Sequence, residues 1–96
     1  GWTPLHYGAA FGSTSSIVEL LLKSADINAQ DLAGRTPLHH ACKLNNNKAI
    51  ATLGVPLERH ADTNVQDIDG STPLHLAVVA GHQEAVEMLV EFGAST

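Results

Sequence analysis

Hydrophobic positions in this chain arrive in short bursts, and the bursts come in pairs. The first burst of each pair is a leucine followed by small apolar residues. These are Leu5 with Ala9 and Ala10, Leu38 with Ala41 and Cys42, and Leu74 with Ala77 and Val78. A Gly or Asn follows (Gly12, Asn45, Gly81), and then a second apolar pattern with helical spacing. Polar connectors separate the pairs. Two of them are nearly identical, Ala-Asp-Ile-Asn-Ala-Gln-Asp at 25–31 and Ala-Asp-Thr-Asn-Val-Gln-Asp at 61–67. The pattern predicts three pairs of short helices joined by turns.

Each pair opens on Thr-Pro-Leu-His, at Thr3–His6, Thr36–His39 and Thr72–His75, with starts 33 and then 36 residues apart. A threonine hydroxyl at the N-cap accepts from a free backbone N–H of the first turn. Proline at the first helical position forfeits no hydrogen bond and arrives with φ already set. Gly12, Gly81 and Asn45 suit the left-handed residue that ends a helix. Ser16-Ile17-Val18-Glu19 has capping-box spacing, which predicts that the second helix of the first pair opens at Ser16. Gly34 and Gly70 supply positive φ at tight turns. Asp31 and Asp67 belong to the same turn chemistry, and Asn28 and Asn64 read as turn residues bonding their own backbone.

Together these features resemble the ankyrin repeat, a unit of about 33 residues built from a β-turn and two helices with a T-P-L-H-x-A signature. The resemblance covers essentially the whole chain, with repeats at approximately 1–31, 32–67 and 68–96. It implies an all-α solenoid of stacked helix pairs with β-hairpin-like connecting loops. In such a stack each repeat touches only its neighbours. The resemblance also implies that His6, His39 and His75 tie neighbouring repeats together through bonds to backbone. Asn28 and Asn64 occupy the position that asparaginyl hydroxylases modify in this family. Neither end carries a polar capping repeat, so the chain is expected to be part of a longer array or protein.

Two copies depart from the pattern. In the first, His6 to Val18 is one residue longer than His75 to Val86, and Lys23-Ser24-Ala25 replaces the Phe92-Gly93-Ala94 of the third. A looser turn around Gly12–Ser15 and a tighter helix end near Ser24 are expected. In the second, removing Gly54-Val55-Pro56 restores the 33-residue spacing and places His60 where glycine usually ends the helix. Proline cannot extend an earlier helix without losing a bond to the preceding turn. It also disfavours a helical residue before it. A break at Gly54–Pro56 is therefore predicted, followed by a short helical turn, as a tolerated surface insertion.

Composition narrows the chemistry. Ninety-six residues, 44% hydrophobic and 16% charged, make one small folded domain. The net charge of −5, with only five Lys+Arg, argues against a nucleic-acid partner. No apolar run approaches the roughly 20 residues that membrane insertion needs. The single cysteine, Cys42, can form neither an internal disulfide nor a multi-cysteine zinc site, which favours a reducing intracellular setting, cytoplasmic or nuclear. Cys42 reads as a small buried hydrophobe rather than a nucleophile. Gly8 to Thr14 has a faint look of a phosphate loop, but its glycine spacing is one short and it lacks the lysine. The three motif histidines are too far apart in a stack to share an ion. His39 with Cys42 offers two ligands where a closed zinc site needs four. No metal, cofactor, small-molecule substrate or catalytic constellation is expected, and the chain reads as a non-enzyme.

What remains is a surface. In the family it resembles, partners bind the concave face made by loop tips and the exposed side of the first helices. The positions that fall there are Trp2, Tyr7 and Phe11; Leu32, Ala33, Arg35, His40, Lys43 and Leu44; and Ile68, Asp69, Ser71, Leu76, Val79 and Ala80. Aromatics and arginine tend to dominate binding energy, and a large apolar patch marks an interaction site. Trp2, Tyr7 and Phe11 fit stacking against a further repeat equally well. The expected function is a non-catalytic protein–protein interaction module. The alternatives are a regulatory or substrate-recruiting arm of a larger enzyme or channel, and a passive structural spacer.

Overall fold

The chain is described by a computed structural model over residues 2–23, 26–43 and 49–93. It holds α1 (Pro4–Ala10), α2 (Thr14–Leu22), α3 (Pro37–Cys42), α4 (Ala49–Glu58), α5 (Pro73–Ala80) and α6 (Gln83–Glu91). The first helices α1, α3 and α5 pack side by side in one row. The second helices α2, α4 and α6 form another, and each first helix also packs on the helix that follows it. Leu5, Ile17, Leu38, Leu53, Leu74 and Leu89 fill the space between the rows. Close approach of the rows needs small residues at one repeated position, taken by Gly8, Ala41 and Ala77, all buried. A Cβ on Gly8 would lie 3.2 Å from Ile17 Cγ1.

The first helices start as their sequence predicts. Thr3, Thr36 and Thr72 are the N-caps, each accepting from the backbone N–H of the histidine three residues on. That histidine returns the bond, because its Nδ1 accepts from the threonine N–H at 3.0 Å in all three copies. Histidine thus fills the role that Glu or Gln fills in the common capping box.

The ends of α1, α4 and α5 share one geometry. After α1, Gly12 sits at φ 70°, with Gly12 N–H bonding Ala9 C=O and Ser13 N–H bonding Gly8 C=O. Gly81 repeats this after α5 at φ 72°. This is a Schellman motif, whose left-handed residue is usually glycine because a Cβ there meets the following carbonyl. After α4 the same two bonds run from His60 N–H to Leu57 C=O and from Ala61 N–H to Pro56 C=O, so His60, at φ 66°, stands in the glycine place. Asn45 and Ser24 lie outside the described residues.

The expectations for both departures need correcting. The helix α2 begins at Thr14 with Ser13 as N-cap, so Ser16 is inside the helix and forms no capping box with Glu19. The expected looser turn is not seen either: the left-handed Gly12 is followed at once by the N-cap Ser13, just as Gly81 is followed by the N-cap His82 in the third repeat.

The predicted break at Gly54–Pro56 does not occur, because α4 runs through Pro56 to Glu58. Nor is the insertion a surface one, since Pro56 is fully buried and Gly54 and Val55 are half-buried. Three inserted residues approximate one helical turn of 3.6, so Leu53 and Leu57 stay on one face and both are buried. Burying two leucines is worth about 1.5–3 kcal/mol each, against about 3 kcal/mol for the proline and about 1 for the glycine.

The connectors fold into hairpin-like turns, and no strand forms among the described residues. Asp31 N–H bonds Arg35 C=O and Gly34 N–H bonds Asp31 C=O, both at 2.9 Å. Asp67, Ser71 and Gly70 repeat the pattern. Neighbouring turns are joined by Ile68 N–H to Ala33 C=O at 2.9 Å. Gly34 is needed there twice over: its φ is 75°, and a Cβ would lie 3.2 Å from the backbone of Asp67.

Candidate functional site

The face made by the turns and the first helices is held in place by a polar seam. His6 Nε2 bonds Arg35 C=O at 2.8 Å, and His39 Nε2 bonds Ser71 C=O at 2.9 Å. Since Nδ1 of each ring accepts, Nε2 must carry the proton, and both imidazoles are neutral. His75 is exposed, and its Nε2 meets no such carbonyl among the described residues. The seam therefore ties first repeat to second and second to third.

The turn aspartates are anchored beside it. Asp31 Oδ1 accepts from the N–H groups of Ala33 and Arg35 at 2.9 and 3.0 Å, and Oδ2 from His40 Nε2 at 2.9 Å. Asp67 Oδ1 accepts from Asp69 and Ser71 N–H, and Oδ2 from Arg35 Nε at 3.2 Å. Burial pushes each carboxyl up, but the hydrogen bonds outweigh it and hold both below the ordinary carboxylate value. Burial moves His39 and His40 the other way, below the ordinary imidazole value, in spite of Asp31 beside His40.

His6, Asp31 and His40 bring their nitrogen and oxygen atoms within 4.8 Å of one another, a metal-like grouping that spacing along the chain did not reveal. The donor chemistry does not fit an ion. His6 Nε2 spends its proton on Arg35 C=O, and Asp31 Oδ2 already accepts from His40. Cys42 is fully buried, and burial pushes its thiol well up, away from the nucleophilic form.

The residues singled out for a partner fall into several groups. Leu32 and Ile68, 88% and 75% exposed, stand at the tips of the two joined turns, with exposed Asp69 beside Ile68. Trp2, 43% exposed, lies 4.3 Å from the His40 ring and 4.9 Å from Tyr7, measured between centroids. Tyr7 and Phe11 stack nearly parallel and border a groove lined by α1, α2 and the residues that flank them. Val79 is exposed on α5, whereas Leu76 is half-buried and packs on the core. Arg35 is mostly buried and paired to Asp67.

His40 departs from its expected role as an open contact. At 4% exposure it is held by Asp31 beneath Trp2 and forms part of a pocket floor. Leu44 lies outside the described residues. Asn28 and Asn64 are exposed, but Asn28 does not bond its own backbone. Its Oδ1 accepts from Asp62 N–H of the next connector at 2.9 Å, and the local turn bond comes from Asp26 instead.

Among the described residues no helix is long and apolar enough to cross a membrane. Sequence comparison agrees with the geometry. The family description "Ankyrin repeats (3 copies)" matches residues 5–96. The chain is 51% identical over 49 residues to the ARF GTPase-activating protein Git of Drosophila melanogaster, covering 51% of this chain and 7% of that protein. It is 42% identical over 53 residues to human Rabankyrin-5, covering 55% of this chain and 4% of that protein. A third relative, the Ankyrin repeat and LEM domain-containing protein 1 homolog of Caenorhabditis elegans, is 48% identical over 52 residues, or 51% of this chain and 7% of that protein. The chain thus spans only a small part of these relatives. Three Thr-Pro-capped helix pairs, joined through histidine and turn backbone and matched along nearly their whole length, place the chain in the ankyrin-repeat family.

Proposed function

We propose that this chain is a non-catalytic protein-binding module whose partner lies across the turn tips and the inner side of the first helices. Ankyrin repeats are in general protein-interaction units. The observation that carries the reading here is the pair Leu32 and Ile68. Both are large apolar side chains left almost fully in water, at equivalent tips of turns locked to each other by backbone bonding. A pre-set apolar surface loses little conformational entropy on binding. Trp2, Arg35, Asp69 and Val79 are further candidates for partner contact. A reducing, intracellular setting belongs to the same proposal and rests on the single buried thiol of Cys42.

A second reading is favoured by the small share of its relatives that the chain spans, 4% and 7% for the first two above. In it the repeats are a recruiting or regulatory arm, and any catalysis resides elsewhere in a longer protein. Both readings place recognition on the same face. The test is affinity capture with wild type and a Leu32→Asp/Ile68→Asp double variant, followed by mass spectrometry. Both residues are exposed, so the fold should survive, as circular dichroism will verify. Partners retained unchanged by the folded variant would remove this face from consideration.

A further inference from the structure

A pocket of about 310 Å³ opens on the inner face between the first repeat and the turn that follows it, with Trp2, Asp31, Arg35, His40 and Lys43 in its wall. Its charges are not evenly available. The Asp31 and Asp67 carboxylates, 8% and 6% exposed, are buried and each accept three hydrogen bonds, so the ionic groups open to water at the pocket are the cationic ones. Lys43 is exposed and has no ion pair among the described residues. Arg35 lines the same pocket and keeps a quarter of its side chain exposed. The pocket rim is therefore positive within a chain of net charge −5. Asp69 is the exposed acid of the neighbouring turn and does not line the pocket. Trp2 offers a half-open indole at the same rim, where an apolar side chain can pack.

We propose that this pocket accepts a carboxylate side chain of the partner protein, with an apolar neighbour resting on Trp2. The inference rests on the inner-face reading above and names the chemistry of the partner. An acidic segment is repelled by most of this molecule and attracted at the rim of Lys43 and Arg35, so charge fixes where and in which orientation it docks. Lys43 supplies the free charge, Arg35 stays tethered to Asp67, and His40 with Asp31 forms a buried, hydrogen-bonded floor.

The test is selection of a phage-displayed random peptide library on the intact chain, with affinities of the enriched peptides measured for variants at low and high salt. Enriched peptides should carry Asp or Glu beside an apolar residue. Lys43→Gln should weaken them by roughly 1.4- to fivefold, the range of an exposed ion pair. Lys43→Glu should weaken them more, and high salt should shrink both effects. Peptides that lose binding with Leu32→Asp/Ile68→Asp yet lack acids and ignore Lys43→Glu would overturn this inference and leave the inner-face reading standing. Peptides indifferent to both sets of variants, or no enrichment over an unrelated bait, would count against both.

Discussion

At the scale of single residues, most of the local chemistry could be read directly. Threonine caps, first-turn prolines and turn glycines act within three or four positions of themselves, so their sequence neighbours are also their physical partners. His60 shows how far this goes. Its place in the repeat marks it as a glycine substitute, and it adopts φ 66°. A Cβ in that region costs roughly 1–2 kcal/mol. Part of this is offset by the greater freedom that glycine loses on folding. His60→Gly should therefore raise stability by about 1 kcal/mol, measured by urea denaturation. An unchanged or lower midpoint would mean that the histidine side chain makes a compensating contact. The histidine of the capping box was less legible, because the sequence rule names Glu or Gln for that place. His40 was less legible still, since its partner Asp31 lies nine residues back and only the folded turn brings them together.

At the scale of elements, α4 is where sequence reasoning failed. Glycine and proline are strong local signals, and both spoke against a continuous helix. They were outweighed by burial of Leu53, Pro56 and Leu57 on one face, with α4 seated between α2 and α6. The strain left behind can be located. Pro56 has no N–H to give the carbonyl of Thr52, and the Thr52 hydroxyl, fully buried, has no partner among the described residues. Gly54 adds a cost that packing does not require, because a Cβ there would meet only Met88 Cε, at 3.4 Å. Gly54→Ala is expected to stabilise the chain by about 0.5–1 kcal/mol through helix propensity. Thermal unfolding checks this, and a fall in Tm would show that Met88 cannot give way.

At the scale of the whole molecule, the repeats are coupled by groups that titrate. His39 and His40 are held below the ordinary imidazole value of 6.5 by burial. The unfolded chain therefore binds more protons than the folded one as pH falls below about 6.5, and stability declines until the folded-state values are passed. Asp31 and Asp67 are held below 3.8, so the stability they lend is complete above that value and is lost as pH drops through their folded-state range. Urea midpoints should thus be flat near neutrality, drop across the imidazole range and drop again in acid. A midpoint that holds steady or rises between about pH 7 and pH 5 would contradict neutral, buried imidazoles at the joints between repeats.

The sequence by itself determined the number of helix pairs, the Thr-Pro caps of the first helices and the glycine turns, and through its family resemblance the linking role of His6 and His39. Each of these depends on contacts a few residues long, or on a pattern repeated often enough to be counted. Only the tertiary structure decided that Pro56 stays helical, that Asn28 straps one connector to the next, and that His40 forms a floor while Leu32 and Ile68 stand open. Those outcomes depend on which surface of a neighbouring repeat lies opposite each side chain. Spacing along the chain does not carry that information until the helices have packed.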